Sequence, residues 1–298
     1  MSGATNELAF ATVAELGTAL RSGAVSPTEL TIFYLERLDT IGRSLNAVAT
    51  LTPERALAAA RKAEDELTAG IDRGPLHGIP YGAKDLLATV DYPTSWGAAP
   101  FRNQQFERDA EVIRLLDEAG AILLGKLSMV EIAGGFGYEQ PDAAFNGPGK
   151  CAWDPDSWAG GSSSGSGSAV GAGCVPFAIG TETWGSILCP SSFNGLTGLR
   201  PTYGLVSRAG AMALSWTMDK IGPMAHTAED CELVLGAIAA NDAWAAARRK
   251  QGPYRIAVLA GSAAEAQPAV ATNFAAALDV LSDFGTLDEI SLSSEIPW

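Results

Sequence analysis

The chain has 298 residues, 47% of them apolar and 18% charged, with a formal net charge of −14. Such a composition supplies a sizeable core and excludes a disordered chain. The acidic balance, with no basic stripe, speaks against nucleic acid as a direct ligand, and every apolar run is too short or too broken by Gly and Pro to span a membrane. In chain order, residues 11–21 and 27–41 carry helical periodicity, with Ser26 and Pro27 placed as N-cap and N1. A third helix is expected over 53–69, with Pro at its start, so that about 1–72 forms an N-terminal helical layer. Within 78–90 a short apolar piece reads as a strand entering a loop. Residues 109–119 read as helix, 121–127 and 175–181 as buried strands, 255–261 as a third strand and 267–284 as the last helix. Helices alternating with short apolar strands predict an α/β layered fold. No internal repeat is visible.

The stretch AGGSSSGSGSAVGAG at 159–173 has the composition of a flexible linker. It runs without a polar break into the strand at 175–181, however. The expectation is a loop at 159–163 followed by a helix of small residues at 164–172, packed close to a sheet.

The cysteines, Cys151, Cys174, Cys189 and Cys231, form no CxxC pair, and the histidines are His77 and His226 alone. No metal site is expected, and the cysteines read as small buried hydrophobes in a reducing compartment. Both histidines read as structural. The N-terminal MSGATNELAF lacks a basic leader pattern, so a cytoplasmic protein is expected.

Three Gly/Ser motifs fail. Gly160 and Gly165 have P-loop spacing, but Ser166 stands where Lys is required. Gly165 and Gly167 begin a dinucleotide fingerprint that Val170 breaks. Gly161 to Gly165 fits the nucleophile elbow GxSxG, with Ser163 as nucleophile, but no buried strand precedes it. The only later histidine is His226, and Asp219 is too close to it for that triad.

A hydrolase so poor in histidine needs another base, and lysine serves when burial depresses its pKa. Among Lys62, Lys84, Lys126, Lys150, Lys220 and Lys250, none belongs to an SxxK motif. Lys62 and Lys250 sit in charged, helical surroundings. Lys84 differs, lying in GIPYGAKDLL with apolar neighbours and flanking Gly. Its bland alternative is a lysine snorkelling from a strand end. Gly185 and Ser186 follow a buried strand, where the N–H groups of Thr183, Trp184, Gly185 and Ser186 can converge on an oxyanion. The alternative there is an ordinary strand-to-loop turn. Asp85 reads equally as a loop-orienting or a surface carboxylate. Asp219 has no charge partner visible in the sequence. Trp184, Met129 and Phe145 are candidates for pocket walls or for core.

Taken jointly, GIPYGAKDLL, the Gly/Ser run GGSSSGS at 160–166, GTETWGSILCP, NGLTGLRPTYGLVSRAG and DKIGPMAHTAED resemble the amidase signature family, over most of residues 10–290. The resemblance implies a mixed β-sheet covered by α-helices on both faces, formed by a single domain over 1–298. It implies Ser186 as nucleophile, Ser162 as bridging serine after a cis peptide bond and Lys84 as base. The N–H groups of Thr183, Trp184, Gly185 and Ser186 would form the oxyanion hole, with Ser163 and Gly161 in support. No cofactor or metal is implied. Implied substrates are small amides, carbamates or esters, and a homodimer is left open. The chain departs from the family's commonest pattern at Glu182 (often Asp), Trp184 (often Gly) and Leu188 (often Arg). The last two make the site more apolar than in glutamyl-tRNA amidotransferase A subunits, so the expectation leans to the stand-alone amidases. An amidotransferase component of that A type, or an inactive homologue, remains the alternative. Family members normally continue past the point where this sequence ends.

Overall fold

Helices α1 (Val13–Ser22) and α2 (Pro27–Arg37) each begin at a capping box. Thr12 and Glu15 close the first, and Ser26 and Glu29 the second, with Pro27 in the first turn as expected. The computed structural model describes residues 7–134, 142–143, 147–239 and 252–292. They fall into two compact units, Met1–Asn241 and Asp242–Trp298.

In the larger unit, α2 ends in a π-helical turn, Leu38–Gly42, before strand β1 (Val48–Leu51). Helix α3 (Pro53–Thr68) packs on α2. Then come β2 (Pro80–Lys84), α4 (Glu111–Glu118), β3 (Ile122–Leu127) and a two-residue hairpin, β4 (Asp142–Ala143) with β5 (Gly147–Pro148). Helix α5 (Ser164–Gly171), β6 (Phe177–Glu182), α6 (Leu188–Asn194), β7 (Thr197–Gly198), β8 (Lys220–Ala225) and α7 (Ala228–Ile238) complete it. Asp230 of α7 accepts from Val13 N at 2.9 Å, so α7 satisfies an orphan donor at the start of α1.

Six strands form one sheet in the order β1-β3-β2-β6-β8-β7. The pairs β3/β2 and β2/β6 are parallel, whereas β1/β3, β6/β8 and β7/β8 are antiparallel. The sheet is therefore mixed, as expected. Every residue of β2, β3, β6 and β8 is buried. Successive side chains leave a strand on opposite faces, so burial of all of them requires cover on both. On this ground the expected α/β class holds.

The Gly/Ser stretch is a loop followed by a helix, and not a linker. All eight residues of α5 are buried. Its hydroxyls find acceptors: Ser166 Oγ donates to Ile179 O and Ser168 Oγ to Lys150 O at 2.6 Å. A Cβ at Gly165 would lie 2.4 Å from Ala47 O and 2.5 Å from Ser128 N. Gly165→Ala is therefore expected to cost about 3 kcal/mol, the upper end of ordinary overpacking. The measurement is the urea midpoint at constant m-value, and a midpoint equal to the parent's would refute this close approach.

The smaller unit is a βαβ element: β9 (Tyr254–Leu259), α8 (Pro268–Ser282) and β10 (Gly285–Ile290), with the strands parallel. It contains the expected strand at 255–261 and the expected last helix.

Candidate active site

Lys84 is the last residue of β2, and Thr181 lies near the end of the neighbouring parallel strand β6. The Lys84 side chain is fully buried. Its Nζ donates to Ser162 Oγ at 2.7 Å, to Thr181 Oγ1 at 3.0 Å and to Thr181 O at 3.4 Å. Burial pushes its pKa down to about 7, against the opposing pull of Asp219 and Glu182. The bland reading of Lys84, a snorkelling lysine, is thereby excluded.

Ser162 is fully buried and follows a cis peptide bond to Gly161. Its carbonyl accepts from Val130 N at 3.1 Å. A Cβ at Gly161 would meet Val130 Cγ2 at 2.7 Å and Trp158 Cζ2 at 2.8 Å, so the loop is packed too tightly there for any side chain. Ser163 ties the loop to both partners. Its N–H donates to Ser186 O at 3.3 Å, its Oγ donates to Thr181 O, and Thr181 N donates back to Ser163 Oγ. Ser163 is thus an anchor between the two serine segments.

Ser186 is 2% exposed and sits in the turn between β6 and α6. Gly185 holds φ at +94°, a conformation that favours glycine. The N–H groups of Thr183, Trp184 and Gly185 donate no hydrogen bond among the described residues. Glu182 fixes the other side of the turn. Its Oε2 accepts from Ile187 N at 2.8 Å and Leu188 N at 2.9 Å, capping the start of α6 with a carboxylate. Sequence reasoning noted Glu182 only as a departure from the commonest pattern.

Asp219, for which the sequence shows no charge partner, is held by neutral donors. It accepts from Thr183 Oγ1 at 2.5 Å, from Leu214 N at 2.8 Å and from Ser215 N. It thereby binds the 183–186 turn to the 214–219 loop. Asp85 is buried and orients a loop: Ser95 N donates to its Oδ2 at 3.0 Å, and Ser95 Oγ donates to the same oxygen.

Lys126 was missed as a functional candidate. It is fully buried on β3, 3.1 Å from Asp85 Oδ1, and donates to Thr94 Oγ1 at 2.7 Å. Burial lowers its pKa, and the Asp85 carboxylate opposes that. Lys126 pairs in register with Ala83, so it projects from the opposite face to Lys84. The usable signal was a cation inside AILLGKL, an otherwise apolar strand.

The remaining sequence candidates divide. Met129 is core, and Trp184 is 87% exposed. Phe145 and Lys250 lie outside the described residues. His77 is buried against Glu66, and His226 packs edge-on against Phe10, both structural. The cysteines are unbridged, with Cys151, Cys174 and Cys231 buried and Cys189 half-buried. Among the described residues no cluster fit to hold a metal ion occurs, and no helix is long and apolar enough to cross a membrane.

A cavity of about 300 Å³ adjoins the site at Thr181 and Thr183. Its walls are mostly apolar, with Leu86, Met212, Leu214 and Trp216 prominent, and Arg208, Asp219 and Lys220 contribute charge.

The family model described as Amidase matches residues 29–295. The chain belongs to the amidase family. Curated relatives include the A subunit of the glutamyl-tRNA(Gln) amidotransferase of Alkalilimnicola ehrlichii, 45% identical over 231 residues. The match covers 78% of this chain and 47% of that protein. A protein of the same name from Coxiella burnetii is 44% identical over 232 residues, with the same shares covered. The chain thus spans about half the length of the curated relatives it matches. Among solved structures, the native peptide amidase of Stenotrophomonas maltophilia aligns with a TM-score of 0.82 at 34% identity. That alignment covers 95% of this chain and 62% of the other. The corresponding A subunit from Thermotoga maritima aligns at 0.76 and 26% identity, over 95% and 62%. The fold expected from the amidase motifs is therefore the fold found, in a family that includes amide-hydrolysing enzymes.

Proposed function

We propose that the chain cleaves carboxamide C–N bonds through an acyl-enzyme on Ser186. The observation that carries this reading is the buried 2.7 Å contact of Lys84 Nζ with Ser162 Oγ, on a lysine whose pKa is held near 7. An amine of that pKa is largely neutral just above neutral pH and can accept a proton. Lys84 takes the Ser162 proton as Ser162 takes that of Ser186, and Ser186 Oγ forms its bond to the substrate carbonyl carbon. Negative charge develops on the carbonyl oxygen, where the N–H groups of Thr183, Trp184, Gly185 and Ser186 stabilise it. As the C–N bond breaks, Ser162 returns its proton to the leaving nitrogen. Water, deprotonated through the same relay, then releases the acid. Carbamates and esters fit the same steps.

A fluorophosphonate probe tests the assignment. It is expected to label Ser186, with labelling and anilide hydrolysis both lost in Ser186→Ala. Hydrolysis that survives this substitution removes Ser186 as the nucleophile.

A second reading, the glutaminase component of a tRNA-dependent amidotransferase, is favoured by the names of the curated relatives at 44–45% identity. Against it stand Trp184 and Leu188, which give the turn exposed apolar surface, and the acidic charge of the chain. Ammonia release from glutamine, measured beside hydrolysis of simple anilides, separates the two.

A further inference from the structure

Lys220 opens strand β8, opposite Glu182 of β6, and is 9% exposed. Lys220 lines the cavity, and its ammonium has three N–H groups. Among the described residues it makes one hydrogen bond, to Thr183 O at 3.0 Å, and no ion pair within contact distance, although the charges of Glu182 and Asp219 lie near enough to favour its protonated form and that of Arg200 opposes it. Burying a cation is costly unless its hydrogen-bond donors, as well as its charge, are answered.

The nearby carboxylates answer part of the charge but accept none of its N–H groups. Both oxygens of Asp219 are occupied by Thr183 Oγ1, Leu214 N and Ser215 N. Glu182 spends Oε2 on the first turn of α6. Arg208, the other cation in the wall, donates to Trp216 O and to Tyr203 Oη, both at 2.8 Å, and lies over the Tyr203 ring. A ligand entering the cavity therefore meets apolar walls, two cations and one acid, Asp219, which keeps its charge although its oxygens already accept from neighbours. Counting Arg200 and Glu182, which also act on Lys220, cations here outnumber acids by three to two, and in a chain of net charge −14 the spare Lys220 donors favour an anion.

We propose that Lys220 reads a carboxylate on the amide substrate. The preferred class is then an amide with an apolar body and one terminal carboxylate, such as the monoamide of a medium-chain dicarboxylic acid. This inference rests on the amidase reading above for its reaction, and on Lys220 alone for its selectivity.

Two matched pairs of anilides test it. The first compares the mono-p-nitroanilide of adipic acid with hexanoyl p-nitroanilide, which places the carboxylate on the acyl side. The second compares N-hexanoyl-4-aminobenzoate with its 4-methylanilide, which places it on the amine side. In at least one pair, the anionic member is expected to show the higher kcat/KM. In Lys220→Met the anionic-to-neutral ratio is expected to fall about 10- to 100-fold, the range of a lost charge-assisted hydrogen bond. Lys220→Arg should restore part of the ratio. A ratio unchanged by Lys220→Met in both pairs overturns the proposal, as does a preference for the neutral member in both.

Affinities of the same compounds for the Ser186→Ala chain are read calorimetrically, without turnover. If the parent hydrolyses no compound but the Lys220-dependent anion preference persists in binding, the amidase reading falls and the Lys220 assignment stands. If hydrolysis occurs without that preference, the reverse holds.

Discussion

Replacing Lys84 with methionine is expected to lower turnover of an anilide about a thousandfold or more, within the range that general bases contribute. Methionine roughly preserves the buried volume and removes the amine, so the fold should persist while the Ser162 contact is lost. The pH profile gives an independent readout. Burial lowers the Lys84 pKa from 10.5 to about 7, and the neutral amine is the working form. The parent's rate should therefore climb as pH rises through about 7 and level off above it. The residual rate of Lys84→Met should lack that limb. A variant within tenfold of the parent, or one that keeps the same limb, would remove Lys84 from the role of base.

The second large effect is on stability. Lys126→Met leaves the Asp85 carboxylate buried without its cation. Breaking a buried pair from one side costs about 3–5 kcal/mol. For a chain of this size that corresponds to a fall in Tm of roughly 10 °C. The double variant Lys126→Met/Asp85→Asn removes the stranded charge and should recover part of the loss. Equal destabilisation of single and double variants would show that the ion pair is not the cause. Since Asp85 follows Lys84 directly and fixes the loop at Ser95, the single variant should also lower kcat.

The elements that sequence reasoning found are those with strong local signals. Ser26, Pro27 and Glu29 announce α2, and the apolar runs at 121–127 and 175–181 became β3 and β6. Strand β8 was not read because KIGPMA carries Gly and Pro, residues that usually argue against a buried strand. Helix α6 has Pro190 inside it and no amphipathic period, and β7 is only two residues long. Helix α7 did carry a readable cap, with Thr227 bonded to Asp230 N. At the site, Lys84, Ser162 and Ser186 were legible as a set only through agreement among distant motifs. What was not legible is their support. Thr181, Glu182 and Asp219 act through contacts with residues far away or through backbone N–H groups, which residue type and spacing do not reveal.

Strands β2 and β6 are hydrogen-bonded neighbours with Ala83 paired to Ile179, so the placement of Lys84 near Thr181 depends on that register. Within the chain between them, Ser162 and Ser163 hold the two ends from one side, bonding Lys84 and Thr181 respectively. Whereas the 161–163 loop and α5 are packed too closely to admit any insertion, segments inserted in the largely exposed stretch 102–108 would enlarge the molecule without shifting that register. Deleting one residue inside β2 would do the opposite. It would turn Lys84 to the far side of the sheet and away from Ser162. The site is thus intolerant of a one-residue change of phase within the strands that carry it.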